Sequence, residues 1–123
     1  MNIVLWILQG LLALVFLMAG VMKSTRTKEQ LGSRMAWVED FSPTVIRLIG
    51  LAELLGALGL ILPAVTGILP WLTPLAATGL VLVMAGASFT HYRRKEFSSI
   101  GMTLILLILA GITAVGRFWI FPL

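Results

Sequence analysis

Polar side chains in this chain come in bursts, and between the bursts run apolar stretches of helical length. Ile3 to Met22 holds Gln9 as its only strongly polar residue. A second run, about Val45 to Leu62, is interrupted by Arg47 and Glu53. The third, about Leu75 to Tyr92, closes on "SFTHYRRKE", and the fourth, about Ser98 to Gly116, stops at Arg117. Crossing a hydrocarbon core about 30 Å thick takes roughly 20 helical residues. Backbone polar groups in lipid must be satisfied within their own segment, which favours helices over open strands. The pattern therefore predicts an all-α integral membrane protein, a four-helix transmembrane bundle forming a single domain over residues 1–123 (spans about 3–22, 45–62, 75–92 and 98–116).

The punctuation agrees with those spans. Ser42-Pro43 suits a helix N-cap followed by proline at the first helical position. Pro63, Pro70 and Pro74 in "PAVTGILPWLTP" are expected to break the chain into a short turn between spans two and three. The first run lacks a basic leader and an A-x-A-like cleavage site, so it reads as a span and not as a signal peptide. The connection from Lys23 to Ser42 is longer than a turn needs. Within it Leu31, Met35 and Val38 recur at i, i+4 and i+7, with Trp37 and Phe41 nearby. That spacing predicts a short amphipathic segment between helices 1 and 2, lying on the membrane or folded into the bundle mouth.

Composition adds weight to the membrane reading: 59% of the 123 residues are hydrophobic and 11% charged, with a mean hydropathy of +1.05. A soluble domain of this size cannot hide so much apolar surface. The net charge of +4 does not point to nucleic acid. Lys23, Arg26, Lys28, Arg34 and Arg47 cluster around the first connection, and Arg93, Arg94 and Lys95 lie in the second. Only Arg117 falls elsewhere. By the positive-inside rule both basic connections face the cytoplasm and both termini face outside, with Trp71 and "RFWIFPL" as outer aromatic anchors. There is no cysteine, which excludes disulfides, thiol relays and Cys-ligated metals. The single histidine rules out a bis-His haem in one chain, and no metal-ligand pattern is present.

The candidate chemistry begins at Glu53. An ionised, unpaired carboxylate inside a span costs several kcal/mol, so it is either protonated or partnered. Lys23, at the end of span one, and His91, at the end of span three, are the nearest candidates. Intramembrane ionisable groups mark function by default. The competing reading is a polar clasp between helices for Glu53, a snorkelling lysine for Lys23 and an interfacial histidine for His91. Arg117 reads as an outer anchor. Ala52 with Gly56, Gly86 with Thr90, and Ala110 with Ala114 are spaced for close helix approach. Glycines 50, 56 and 59 either let helices touch or leave room for a flat ligand beside the carboxylate.

A first span ending "FLMAGVMKS", a basic Trp-containing connection, then "VIRLIGLAELLGALGLILP" and a third span closing on "SFTHYRRKE" together resemble the DoxX-like family of small bacterial membrane proteins, over about residues 10–116. The "AG..K" and "AE..GA..L" segments carry most of the likeness. The resemblance implies a four-helix bundle in the bacterial cytoplasmic (inner) membrane and an association with membrane redox or oxidative-stress chemistry. It maps onto Lys23, Glu53 and His91 as the matching polar positions.

The leading expectation is a protein that binds a small apolar or quinone-like molecule. Glu53 and His91 are the catalytic candidates, acting on protons, and Lys23, Glu53 and His91 the ligand-binding ones, with no resident cofactor unless a quinone serves. Redox turnover would need an outside donor. Two other functions fit the same residues. One is a small proton-coupled transporter using Glu53, although small multidrug exporters carry their glutamate in the first span. The other is a non-catalytic membrane subunit of an oxidoreductase complex. The expected partners are the lipid bilayer, a second copy in a homodimer, or a soluble oxidoreductase.

Overall fold

The computed structural model describes residues 2–32 and 41–123, with the side chain of residue 28 left aside. Four helices are long and apolar enough to cross a membrane. α1 is Asn2–Thr25, α3 Pro43–Thr66, α4 Leu72–Arg93 and α5 Phe97–Val115, with α2, Lys28–Gly32, between the first two spans. A π-helical turn, Gly116–Ile120, finishes the last span. The predicted bundle is thus present, each of the first three spans running further at one or both ends than the hydrophobic pattern alone suggests.

The helices pair as two antiparallel hairpins, α1 with α3 and α4 with α5, which α3 and α4 join. Leu12, Phe16, Ala57, Leu60, Leu80, Met84 and Ala110 fill the core between them. Leu11, Leu55, Leu82 and Ile105 face outward, as side chains solvated by lipid do. Hydroxyls inside the spans return to the carbonyl four residues back: Ser24 to Gly20, Thr66 to Leu62, Thr78 to Pro74, Thr90 to Gly86 and Thr113 to Leu109. The hydrogens of these five hydroxyls are thereby kept from hydrocarbon.

Ser42 caps α3 as predicted, accepting from the Val45 amide at 3.3 Å, with Pro43 following it. Thr27 and Gln30 form a reciprocal capping box at the start of α2. Leu31 of α2 is buried against Ile46, with Met22 and Phe41 alongside, so this part of the connection folds onto the bundle end. The rest of the expected amphipathic segment, including Met35, Trp37 and Val38, lies outside the described residues.

Pro63 does not break its span. α3 runs through it to Thr66 and ends at Gly67, whose left-handed φ of 71° lets its amide reach the Pro63 carbonyl. A proline ring removes the amide that would bond the carbonyl four residues earlier, which here belongs to Gly59. The Thr73 hydroxyl of α4 donates to that same carbonyl at 3.0 Å. A neighbouring helix thus supplies the missing donor, and α3 continues. Pro74 likewise sits in the first turn of α4, where its missing amide costs nothing.

The bonds and close approaches joining one hairpin to the other gather at the terminus end. Gly59 packs on Ala76, Gly56 on Leu80 and Gly116 on Leu5, while Arg117 reaches Gln9 across α1 and the π turn. Towards the basic end the hairpins part around a cavity.

Candidate functional site

The site begins with a helix crossing. A Cβ on Gly20 would stand 2.7 Å from the Gly50 carbonyl oxygen, and one on Gly50 would stand 2.7 Å from the Cβ of Lys23. Only glycine at both positions lets the backbones of α1 and α3 come so close. Lys23 and Glu53 each lie three residues, about one turn, beyond their glycine. Lys23 turns back into the bundle, and its Nζ donates to Glu53 Oε1 at 2.6 Å. The Glu53 side chain is 1% exposed and that of Lys23 11%. Glu53 lies ten residues after Pro43, about 15 Å along the axis. The glycines around Glu53 therefore serve contact: Gly50 on α1, Gly56 and Gly59 on α4.

Lys23, Glu53 and His91 all line the cavity between the hairpins, which measures about 570 Å³. Its remaining wall is mostly apolar, with Phe16, Met84 and Leu106 among the lining residues. Exposed lining residues such as Leu48 and Gly86 open it to the surroundings of the bundle. Gly86, expected at a close helix contact, instead has nothing within 4 Å of where a Cβ would be. Of the two readings of the glycines at 50, 56 and 59, contact is the one seen, and the open space lies at Gly86, which lines the same cavity as Glu53.

His91 shares the cavity but not the ion pair. Its Nδ1 lies 2.9 Å from Glu96 Oε1, and Arg94 Nε is 3.3 Å from Glu96 Oε2. Lys95, at a left-handed φ of 58°, turns the chain between α4 and α5 so that Glu96 returns to His91. These partners hold the Glu96 carboxyl below the usual carboxylate range, the hydrogen bond with His91 contributing most and partial desolvation opposing it. Deeper in the same hairpin the Ser88 hydroxyl donates to Thr103 Oγ1 at 2.9 Å, and Thr103 also lines the cavity.

A second buried polar cluster at the other end was not anticipated. Arg117, expected as an outer anchor, is 2% exposed. Its Nε donates to Gln9 Oε1 at 2.7 Å and its Nη1 to Asn2 Oδ1 at 2.6 Å and to the Phe121 carbonyl at 3.0 Å. Gln9 passes a hydrogen on to the Leu60 carbonyl at 2.7 Å, and the guanidinium lies over the Trp6 ring at 5.4 Å. The π turn draws Arg117 inward: its wider coil lets the Phe121 amide reach the Gly116 carbonyl. One signal for this cluster was in the sequence. Leu5, Gln9, Leu12, Phe16, Gly20 and Lys23 are the buried positions of α1, a single stripe at helical spacing. Gln9 shares it with Lys23.

Chemically, the cavity offers an ammonium–carboxylate pair and an imidazole on an otherwise apolar wall. Such a wall can hold a flat apolar molecule and bond its few polar atoms, and its titratable groups can exchange protons with it. Among the described residues no group of three or more His, Cys, Asp or Glu could hold a metal.

Neither the curated proteins nor the solved structures offer a match to the chain. A family model does match, from residue 7 to residue 113, a stretch that takes in the Gly20–Gly50 crossing, Lys23, Glu53 and His91. On that match, this four-span membrane protein belongs to the DoxX-like family.

Proposed function

We propose that the bundle takes a small apolar, quinone-like molecule into the cavity between its hairpins and serves membrane redox or stress chemistry. The observation that supports this reading is the convergence of Lys23, Glu53 and His91 on one apolar cavity of about 570 Å³, within the usual size range of small-molecule sites. In this reading ring carbons lie against Phe16, Met84 and Leu106, and a carbonyl oxygen accepts from Lys23 or His91. Glu53 acts as proton acceptor, and His91 with Glu96 connects the cavity to the aqueous edge. Electrons come from an outside donor such as a soluble oxidoreductase, since the chain has no cysteine and one histidine. The clustering of basic residues supports a bacterial cytoplasmic membrane placement with both termini outside.

The test is binding of short-chain benzoquinones and naphthoquinones to protein in nanodiscs, followed by titration calorimetry. Saturable uptake of one molecule per chain is expected. His91→Ala should weaken it about tenfold, the worth of one good hydrogen bond. Gly86→Phe fills the cavity where a side chain meets no neighbour, and it should abolish uptake in a protein that still folds. No uptake by the wild type, or equal uptake by Gly86→Phe, overturns the proposal.

A second reading rests on the closed Lys23–Glu53 pair, which would act as a fixed clasp in a non-catalytic membrane subunit. Co-purification with a soluble oxidoreductase, without uptake of ligand, would favour it. The same pair counts against a cation exporter, because Lys23 already neutralises the carboxylate that a cation would need.

A further inference from the structure

The basic end of the bundle carries a smaller, charged cleft that plays no part in the larger cavity. It measures about 220 Å³ and is lined by Arg26, Thr27, Glu29, Pro43, Ile46 and Arg47, where α1 ends, α2 begins and α3 starts. Its inner wall is firm, since Ile46 is buried against Leu31. Arg26, Glu29 and Arg47 are exposed. Neither guanidinium, nor the Glu29 carboxylate, has a hydrogen-bond or ion-pair partner among the described residues.

The position of the cleft is as telling as its charges. Arg26 stands one residue past the end of α1, and Arg47 lies in the second turn of α3, the depth at which lipid headgroups meet helix ends. Leu51, Leu55 and Leu58 follow Arg47 on the same helix face, at i+4, i+8 and i+11. They are 45%, 67% and 41% exposed. A polar cleft with an apolar track running from it into the bilayer has the shape of an amphiphile.

We infer that the cleft holds the headgroup of a membrane phospholipid, with the phosphate between Arg26 and Arg47 and an acyl chain along Leu51, Leu55 and Leu58. Guanidinium groups suit this because their forked donors match phosphate oxygens. Glu29 adds selectivity. Its carboxylate accepts from the N–H donors of a primary ammonium, which phosphatidylethanolamine has and quaternary phosphatidylcholine lacks, and it repels a purely anionic headgroup.

The experiment is native mass spectrometry of the protein released from vesicles of phosphatidylethanolamine, phosphatidylglycerol and phosphatidylcholine in equal parts. The wild type should retain phosphatidylethanolamine in preference to the other two. Arg26→Gln with Arg47→Gln should weaken retention about tenfold or more. Lys23, Arg93, Arg94 and Lys95 still fix the orientation of that double variant. Glu29→Gln should shift the retained lipid towards phosphatidylglycerol. Unchanged retention in the double arginine variant overturns the site, and an unchanged preference in Glu29→Gln overturns the selectivity. If inorganic phosphate empties the site as well as a soluble short-chain phosphatidylethanolamine does, the cleft reads phosphate alone and the lipid assignment falls.

Discussion

Lys23 meets Glu53 at 2.6 Å because Gly20 and Gly50, one turn away on each helix, let α1 and α3 touch backbone to backbone. Removing one member leaves a buried charge without its opposite, which in proteins costs about 3–5 kcal/mol. Lys23→Met is therefore expected to destabilise the bundle by about that amount. Lys23→Met combined with Glu53→Leu should recover most of the loss. Denaturant unfolding in detergent micelles measures both, and a single-variant cost under about 1 kcal/mol would show that the pair is open in solution.

The crossing itself gives a sharper contrast between two glycines. Gly50→Ala forces a methyl against the Lys23 Cβ and the Ser24 amide and should cost about 1–3 kcal/mol, the usual effect of overpacking. Gly86→Ala meets nothing within 4 Å. It should be neutral or stabilise by up to about 1 kcal/mol, through alanine's better helix propensity. Equal effects at both positions would contradict the crossing geometry.

Thr73 and Pro63 should be coupled through a carbonyl that neither residue owns. Thr73→Val deprives the Gly59 carbonyl of its donor and should cost about 1–3 kcal/mol. In a Pro63→Ala background residue 63 regains an amide for that carbonyl, so the same substitution should cost clearly less. A double-mutant cycle reads the difference directly. No coupling would mean that the Gly59 carbonyl is satisfied in another way.

The loop between α4 and α5 gives a pH dependence whose sign is fixed. Glu96 titrates below its ordinary value in the folded protein, chiefly through its hydrogen bond with His91. A depressed carboxyl contributes stability that is fully present above the unfolded value, about pH 4.3. That contribution is lost as pH falls through the lower, folded value. Glu96 is partly exposed, so the whole effect should stay below about 1 kcal/mol. Thermal unfolding followed from pH 6 to pH 3 should show this fall in the wild type and a shallower one in Glu96→Gln.

The spans were legible because lipid leaves so few alternatives: apolar runs of the right length, basic connections and the Ser42-Pro43 cap sufficed. Glu53 stood out because it is ionisable among apolar neighbours, and Lys23 because it ends the first span as a nearby candidate partner for that carboxylate. The fate of Pro63 was not legible, since its missing amide is compensated by Thr73, ten residues away on another helix. Arg117 was misread for a similar reason. Its position at the end of a span suits an anchor, and only the π turn, set by backbone geometry, draws it inward to Gln9. Gly86 and Gly50 look alike in the sequence, yet one lines a cavity and the other a contact. The crossing of two helices decides that, and local spacing does not record it.

The uneven placement of bonds between the hairpins sets where the bundle can yield. At the terminus end Thr73 is tied to Gly59, Arg117 to Gln9, and Leu5 packs on Gly116. At the basic end the described side-chain bonds Lys23 to Glu53 and Ser88 to Thr103 each run within one hairpin. Any relative motion of the two pairs would accordingly pivot near the termini, with its amplitude greatest towards Lys23 and His91. With such a base, the opening between the two arms could change width while Lys23–Glu53 and Ser88–Thr103 stay closed.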